Sequence, residues 1–554
     1  MNYNYFAFLD YLNGLIELAD GFSFFLFELL VAILIISFIF LILYRARKQI
    51  IFNPWVNRFD HNDPDLGKSI ADLLLFKLRT IKKTHEISGR KIGLWNTFED
   101  IPSFRQNMDK EIDLLASVQL GNYGKIISGI FAFMFKIFPM LLKPANIAGH
   151  INKFGEKRTI LQVSLENYRP RKWLNSETLL WEKEYAQLLK ENIPKAVEEI
   201  ACRIYIDLTG SELFKCSQTF MNFTVGLKSY VNYTELKMDV DLEDAEKKYM
   251  KALSFEKNNP VVKYNLGVLK YYQYHENLNE EAISYFSQAL NCNERNLRAR
   301  ASSGISNALT QKVTRFKSAE SQKLEILTEA IDYGEKAVEL NKKLDSAYKS
   351  LAYALHQKGE FLAFNETYPR GVSAQLRARA IQNYKKAISL NKNHFVAHNN
   401  LANLYLHWAA SIEGEISSPF ELKNFQLKLK ELFSKGVTID KRRFLKKAIY
   451  HCEEALKINP TYQFAFNNLG HAYLKFKAYD KTFSAFQNAL LYDPNYPEAL
   501  NDLAILYLNK EFKRYNEEKS MLNHKAALEL TKNQPGRHKK IKEEYDFYRN
   551  TLMV

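Results

Sequence analysis

The stretch FNNLGHAYLKFKAYDKTFSAFQNALLYDPN, residues 466–495, places large and small side chains at intervals that suit two packed helices. With Gln463 as position 1 of a 34-residue unit, large residues stand at positions 4, 7, 11 and 24, and small residues at 8 and 27. The small residues let two backbones approach closely, and the large residues fill the space around them. Pro494 at position 32 ends the second helix, because proline has no N–H and disfavours helix in the residue before it. The stretch therefore predicts a pair of antiparallel helices.

The same spacing recurs through the second half of the chain. The copies are marked by Leu266 and Gly267, Ala330 and Ala337, Leu351 and Ala352, Leu401 and Ala402, Ala448 and Ala455, and Leu503 and Ala504. Five complete pairs and a degenerate unit at each end span about 219–535, with two insertions. This recurrence resembles the tetratricopeptide repeat (TPR), which implies a right-handed solenoid whose first helices form a concave face.

Amide side chains follow the first helices of these pairs. Position 6, or the residue before it, supplies the candidate peptide-groove residues Asn265, Asn399, Asn400, Asn467, Asn468 and Asp502. A primary amide both donates and accepts hydrogen bonds, so a column of amides can pair with the backbone of an extended peptide. The column resembles the asparagine ladder in the repeats of the O-linked N-acetylglucosamine transferase. In the alternative interpretation these side chains bond neighbouring helices or face water.

Residues 22–44, FSFFLFELLVAILIISFIFLILY, contain a single charged residue, Glu28. At about 1.5 Å per residue, a helix of this length crosses a hydrocarbon layer of about 30 Å. The basic run RARK follows at 45–48, whereas residues 1–21 contain no lysine or arginine. Positive residues stay in the cytoplasm, so the pattern predicts a single-pass membrane helix with the short segment 1–21 outside and the bulk of the chain cytoplasmic. The alternative places the bulk in the periplasm.

Residues 45–215 do not follow the repeat. The sequence predicts an amphipathic helix at 63–83, a strand at 112–120, a hairpin at 146–166, and a long helix at 176–208 that is capped by Ser176 and interrupted at Pro194. This order indicates a small α/β or α+β domain. The hairpin and the nearby LLWEKEY are similar to the TolB-N-like domain that is often fused ahead of bacterial TPR arrays. The apolar run 127–144 is either a core helix or a second membrane contact.

The composition and motifs favour a binding protein over an enzyme. The net charge is +15, and the four cysteines are too sparse for a disulfide scaffold or a zinc ribbon. The chain has no P-loop, GxSxG or HExxH motif, and we expect no catalytic activity, no cofactor and no metal site. His394 and His398 lie one turn apart, with His407 further along, but the motif has no acidic third ligand, which favours surface or packing histidines. The aromatic residues belong to helix cores, so no nucleic-acid partner is expected.

Together these features predict a mainly α protein, a TPR α-solenoid preceded by one transmembrane helix and a small α/β domain. The predicted segments are 1–21, the membrane helix 22–44, the domain 45–215, the solenoid 216–535 and a capping helix at 536–554. The expected function is a membrane-anchored scaffold that binds a protein or peptide partner in the concave groove and the lipid bilayer through 22–44. The alternative is a non-catalytic sensor or assembly subunit of an envelope complex, in which 45–215 binds a ligand or lipid.

Overall fold

The computed structural model describes residues 49–52, 56–57, 64–92, 103–105, 145–154, 158–166, 179–184, 193–209, 213–236, 238–273, 275–316, 319–363, 370–411, 441–532 and 535–552. This part of the chain is mainly helical. Contacts divide the chain into two compact units, one drawn from 1–92, 96–231 and 254–256 and the other from 93–95, 232–253 and 257–554. Four segments named in the sequence analysis lie outside the described residues. They are 1–21, 22–44, the predicted strand at 112–120 and the apolar run 127–144. Among the residues described, none of the helices combines the length and the hydropathy needed to cross a bilayer.

The first unit contains a sheet with strand order β3-β1-β4-β5-β6, and β2 pairs with β4. The strands are β1 (Gln49–Phe52), β2 (Val56–Asn57), β3 (Ser103–Arg105), β4 (Ala145–Phe154), β5 (Arg158–Glu166) and β6 (Leu179–Glu184). Strand β1 lies parallel to β3 and β4. Strands β4 and β5 are antiparallel in a register that runs from Asn146 opposite Glu166 to Phe154 opposite Arg158, which is the hairpin that the sequence predicts at 146–166.

The helices of the first unit are α1 (Pro64–Ile92), α2 (Ile193–Thr209) and α3 (Ser217–Leu236). Helix α1 buries Ile70, Leu74, Leu78 and Ile81 on one face, which confirms the predicted amphipathic helix, and it packs against α2.

The single long helix predicted over 176–208 is wrong. Leu179–Glu184 forms the strand β6, whose backbone pairs with β5 so that Trp181 lies opposite Leu161, and the helix α2 begins only at Ile193. Pairing with a strand that is already in place outweighs the local helix preference of this segment. Pro194 fits the first turn of a new helix, where no N–H is needed, and it is unfavourable within a continuing one.

The second unit consists of paired helices. In chain order they are α4 (Asp239–Phe255), α5 (Pro260–Tyr271), α6 (Glu276–Ala289), α7 (Arg295–Arg315), α8 (Glu320–Leu340), α9 (Asp345–Ala363), α10 (Arg370–Leu390), α11 (Phe395–Ser411), α12 (Lys441–Ile458), α13 (Gln463–Lys475), α14 (Tyr479–Tyr492), α15 (Pro497–Tyr507), α16 (Glu517–Thr531) and α17 (Pro535–Leu552). Six pairs of consecutive helices pack together, and each pair packs against the next. These pairs are α5–α6, α7–α8, α9–α10, α11–α12, α13–α14 and α15–α16. This is the architecture of a helical repeat array.

The alternation of large and small side chains sets the distance within each pair. Phe486 of α14 is fully buried, and a Cβ atom built on Gly470 of α13 would lie 2.4 Å from its ring. In an earlier pair the ring of Phe286 lies between Gly267 and Gly304, where added Cβ atoms would come within 2.7 and 2.8 Å of the ring. The glycines are therefore required for the aromatic rings to fit between the helices.

Candidate functional site

The first helices of successive pairs stack directly on one another. Contacts join α5 to α7, α7 to α9, α9 to α11, α11 to α13, and α15 to the C-terminal helix α17. In repeat arrays of this kind the first helices line the concave side. The candidate peptide-groove residues all lie on these helices, at Asn265 on α5, Asn399 and Asn400 on α11, Asn467 and Asn468 on α13, and Asp502 on α15.

A hydrogen-bonded column of amides connects α11 to α13. Asn468 Nδ2 donates to Asn399 Oδ1 at 2.8 Å, and Asn403 Nδ2 reaches Asn468 Oδ1 at 3.4 Å. Asn399 Nδ2 also donates to Asn400 Oδ1 at 3.4 Å. Asn399 and Asn468 are buried, whereas Asn400 and Asn403 are half-buried. The buried amides therefore fix the positions of the two amides that reach the surface.

The column continues from α13 to α15 with an ionisable pair. Asp502 is buried, and its Oδ2 accepts from Asn467 Nδ2 at 3.0 Å and lies 2.9 Å from His471 Nε2. Burial lowers the pKa of His471, but the charge and hydrogen bond of Asp502 outweigh burial and raise this pKa above 6.5. Burial, followed by repulsion from Asp502, raises the pKa of Glu544 on α17. The Asp502 carboxylate therefore favours the protonated form of His471.

A second polar segment joins α7 to α9. Lys349 Nζ donates to Asn307 Oδ1 at 3.0 Å, Asn307 Nδ2 donates to Ser350 Oγ at 2.9 Å, and Ser303 Oγ lies 2.6 Å from Ser350 Oγ. Burial lowers the pKa of Lys349 to about 8, with Asp345 opposing the shift. Sequence reasoning missed Asn307, Ser303 and Ser350 because serine and asparagine at these positions depart from the position-6 pattern.

Asn265 does not join the column. Its side chain is 1% exposed, its Nδ2 donates to Val261 O of the preceding turn at 2.8 Å, and its Oδ1 has no hydrogen-bond partner. The six candidate residues are thus distributed as one residue that bonds its own helix and five that belong to the α11–α13–α15 column.

The C-terminal helix α17 covers part of the inner face of the array. It packs on α15 and α16 and also contacts α7, which lies ten helices earlier in the chain. Arg537 Nε donates to Glu498 Oε1 at 2.6 Å. Burial raises the pKa of Glu498, but Arg537 and then Arg315 of α7 outweigh burial and lower it. Residues 501–507 of the adjoining first helix α15 are all buried. Helix α17 therefore covers the inner face at this end.

Two of the histidines that the sequence singled out form hydrogen bonds, His398 between two helices and His394 at the start of α11. His398 Nδ1 lies 3.0 Å from His451 Nδ1 across α11 and α12, and His394 Nδ1 accepts from the N–H of Ala397 at 3.4 Å. All four cysteines are free thiols, with Cys202 and Cys452 buried and the other two half-buried.

A curated relative and several solved structures are similar to parts of this chain. The tetratricopeptide repeat domain-containing protein PYG7, chloroplastic, of Arabidopsis thaliana is 40% identical over 78 residues, which are 13% of this chain and 26% of that protein. The chain therefore spans only about a quarter of the length of this relative. No family model matches the chain.

Among solved structures, TTC0263, a thermophilic TPR protein of Thermus thermophilus, is 17% identical, with 42% of this chain and 95% of that chain covered and a TM-score of 0.29. YrrB, a TPR protein with an unusual peptide-binding site, is 19% identical, with 46% and 95% covered and a TM-score of 0.24. The human IFIT1 dimer with m7Gppp-AAAA is 16% identical, with 63% and 77% covered and a TM-score of 0.33.

The stacked pairs and the curated relative define this chain as a TPR-like helical repeat protein. The predicted membrane anchor and the TolB-N-like resemblance gain no support from these relatives.

Proposed function

We propose that this chain is a non-catalytic, membrane-anchored scaffold that holds an extended segment of a partner protein along the first helices of its repeats. The observation that carries the proposal is the polar column on these helices. Asn400 and Asn403 are half-buried, and each hydrogen-bonds to a buried amide of the column. Asn307 of α7 is also half-buried and donates a hydrogen bond to Ser350 of α9. Because these side chains are already ordered before binding, less conformational entropy is lost when a partner binds.

The chemistry of the column suits the backbone of the partner. Amides donate and accept at once, and peptide N–H and C=O groups need one acceptor and one donor each. An extended segment takes up less of the inner face than a helix, because a helix with its side chains is about 10–12 Å wide, whereas strands lie about 4.8 Å apart. Lys349 adds positive charge on this face, which favours a partner segment with an acidic residue close to it.

The predicted membrane helix at 22–44 gives the scaffold its location. Tethering to the bilayer raises the effective concentration of a partner that is also near the membrane, so modest affinity in the groove is sufficient. We place residues 1–21 outside and the repeats in the cytoplasm. Half-buried Cys292 lies on the repeat side of 22–44, so a membrane-impermeant thiol reagent is expected to label it only after the cells are opened. Labelling of Cys292 in intact cells would reverse this topology.

A peptide selection tests the groove. Random ten-residue peptides displayed on phage are selected against the full chain in detergent, and the affinity of the selected peptides is measured by fluorescence polarisation. We expect Asn400→Ala and Asn403→Ala each to weaken binding about tenfold, the effect of about 1.4 kcal/mol. The exposed Ser484→Ala on α14 is the matched control and is expected to leave binding unchanged.

The same peptides distinguish backbone from side-chain recognition. N-methylation of peptide amides in the bound segment removes donors and is expected to abolish binding, whereas alanine substitution at single positions is expected to cost little. Peptides whose binding is insensitive to both asparagine variants and to N-methylation would contradict the proposal.

A further inference from the structure

A cluster of ionisable side chains lies where α9, α10 and α11 meet. His356 and Glu360 are one turn apart on α9, His407 extends from α11, and Arg377 comes from α10. His356 is 1% exposed and Glu360 is buried, whereas the side chain of His407 is 42% exposed. The cluster therefore has a buried floor and one side open to solvent.

The donor atoms of three of these residues converge. His407 Nδ1 lies 3.1 Å from Glu360 Oε2, and His356 Nε2 lies 3.9 Å from Glu360 Oε1. One donor atom from each of the three residues lies within 4.8 Å of the others. Ligands in a tetrahedral zinc site lie about 3.4 Å apart when the bonds to the metal are about 2.1 Å long. The separations between the three donors therefore exceed this spacing by at most about 1.4 Å.

His356 supplies an independent sign of a ligand. Both of its ring nitrogens are buried and have no hydrogen-bond partner. Buried polar atoms in folded proteins are almost always hydrogen-bonded, so an imidazole with neither nitrogen partnered requires a reason. A metal ion bound to one nitrogen supplies that reason, because a neutral imidazole is a good ligand for zinc and copper.

We propose that His356, Glu360 and His407 bind one divalent transition-metal ion, with zinc as the first candidate and water in the fourth position. Two imidazoles and one carboxylate are a donor set that zinc accepts, and three protein ligands leave one position open. His407 closes the site from the solvent side. The ion would connect α9 to α11 and so hold two successive first helices of the array together.

Arg377 modifies the affinity of this site. Its Nε lies 2.8 Å from Glu360 Oε1, and its Nη2 donates to Glu360 Oε2 at 3.1 Å. Each carboxylate oxygen has two lone pairs, so the guanidinium and a metal ion can bind opposite sides of the same group. The positive charge of Arg377 repels a metal cation, and Arg377→Met is therefore expected to tighten metal binding.

Zinc titration of the full chain tests the site. The purified protein in detergent is treated with a chelator, dialysed, and titrated with Zn²⁺ by calorimetry, and Co²⁺ binding is followed by its visible absorption bands. We expect one ion per chain, a loss of affinity of at least tenfold in His407→Ala and in His356→Ala, and a gain in Arg377→Met. His398→Ala removes a different histidine from α11 and serves as the matched control.

His407 is partly exposed, so His407→Ala carries the test if His356→Ala fails to fold, as judged by circular dichroism. Absence of stoichiometric zinc binding would overturn the proposal. Zinc binding that survives His407→Ala, or that is lost in His398→Ala instead, would assign the metal elsewhere and overturn it equally.

Discussion

Replacing Gly470 by alanine adds one methyl group at the closest approach between α13 and α14. The new Cβ would lie 2.4 Å from Cε1 and 2.6 Å from Cδ1 of Phe486, whereas carbon atoms in contact normally lie about 3.5–4.0 Å apart. The ring of Phe486 is fully buried, so either the ring or the two helices have to shift.

The expected cost follows from two opposing terms. Overpacking of this kind destabilises a core by about 1–3 kcal/mol, and a clash this close belongs at the upper end of that range. Alanine in place of glycine within a helix stabilises by about 1 kcal/mol. Gly470→Ala is therefore expected to lower the local free energy of unfolding by about 2 kcal/mol.

Native-state hydrogen exchange is the appropriate assay, because repeat arrays open locally and one global transition does not describe them. Amides of α13 and α14 are expected to lose protection in Gly470→Ala, and the double variant with Phe486→Leu is expected to recover part of it. Ser484→Ala on the exposed face of α14 is the control and is expected to gain a few tenths of a kcal/mol, at most about 0.5. An increase in protection in Gly470→Ala, similar to that of the control, would refute the packing argument.

Three further predictions concern stability. Asn468→Ala removes the hydrogen bond to α11 and leaves its partner amide buried, so α11 and α13 are expected to lose about 1–3 kcal/mol of local stability in hydrogen exchange; unchanged protection would contradict the column. Asn259→Ala removes the side chain that accepts from two backbone N–H groups at the start of α5, and it is expected to destabilise that helix by about 1 kcal/mol, with no loss at α15 as the internal control. The pKa values of His471 and Glu544 are raised in the folded state, so the local free energy of opening at α13 and α15 is expected to fall as pH rises above 6.5, and His471→Gln is expected to weaken this dependence. Local stability of α13 and α15 that rises with pH above 6.5 would contradict the assignment of the His471–Asp502 pair.

The repeat could be predicted because its packing rule is local. Gly470 and Phe486, or Gly267 and Phe286, lie within one 34-residue unit, and their spacing alone indicates which side chains meet. The strand at 179–184 is missed by sequence reasoning because the strand β5 that pairs with it cannot be read from the segment itself.

The polar column and the ionisable cluster could not be predicted from the sequence alone. The position-6 amides are evident in the sequence, but whether Asn399 bonds a peptide or Asn468 of the next pair depends on how the pairs stack. His356 and His407 come from different pairs and lie in no continuous motif, and the absence of a partner for His356 is visible only once its surroundings are known.

Photocrosslinking of a bound peptide tests the central claim most directly. A photoreactive residue is placed at Asn403 on the first helix α11 or at exposed Ser484 on the second helix α14 of the full chain, and each variant is illuminated with a selected peptide at a concentration well above the Kd expected after the loss of Asn403. Crosslinking at position 403 and none at position 484 is the expected result. Crosslinking at 484 with none at 403 would place the partner on the outer face and contradict the account.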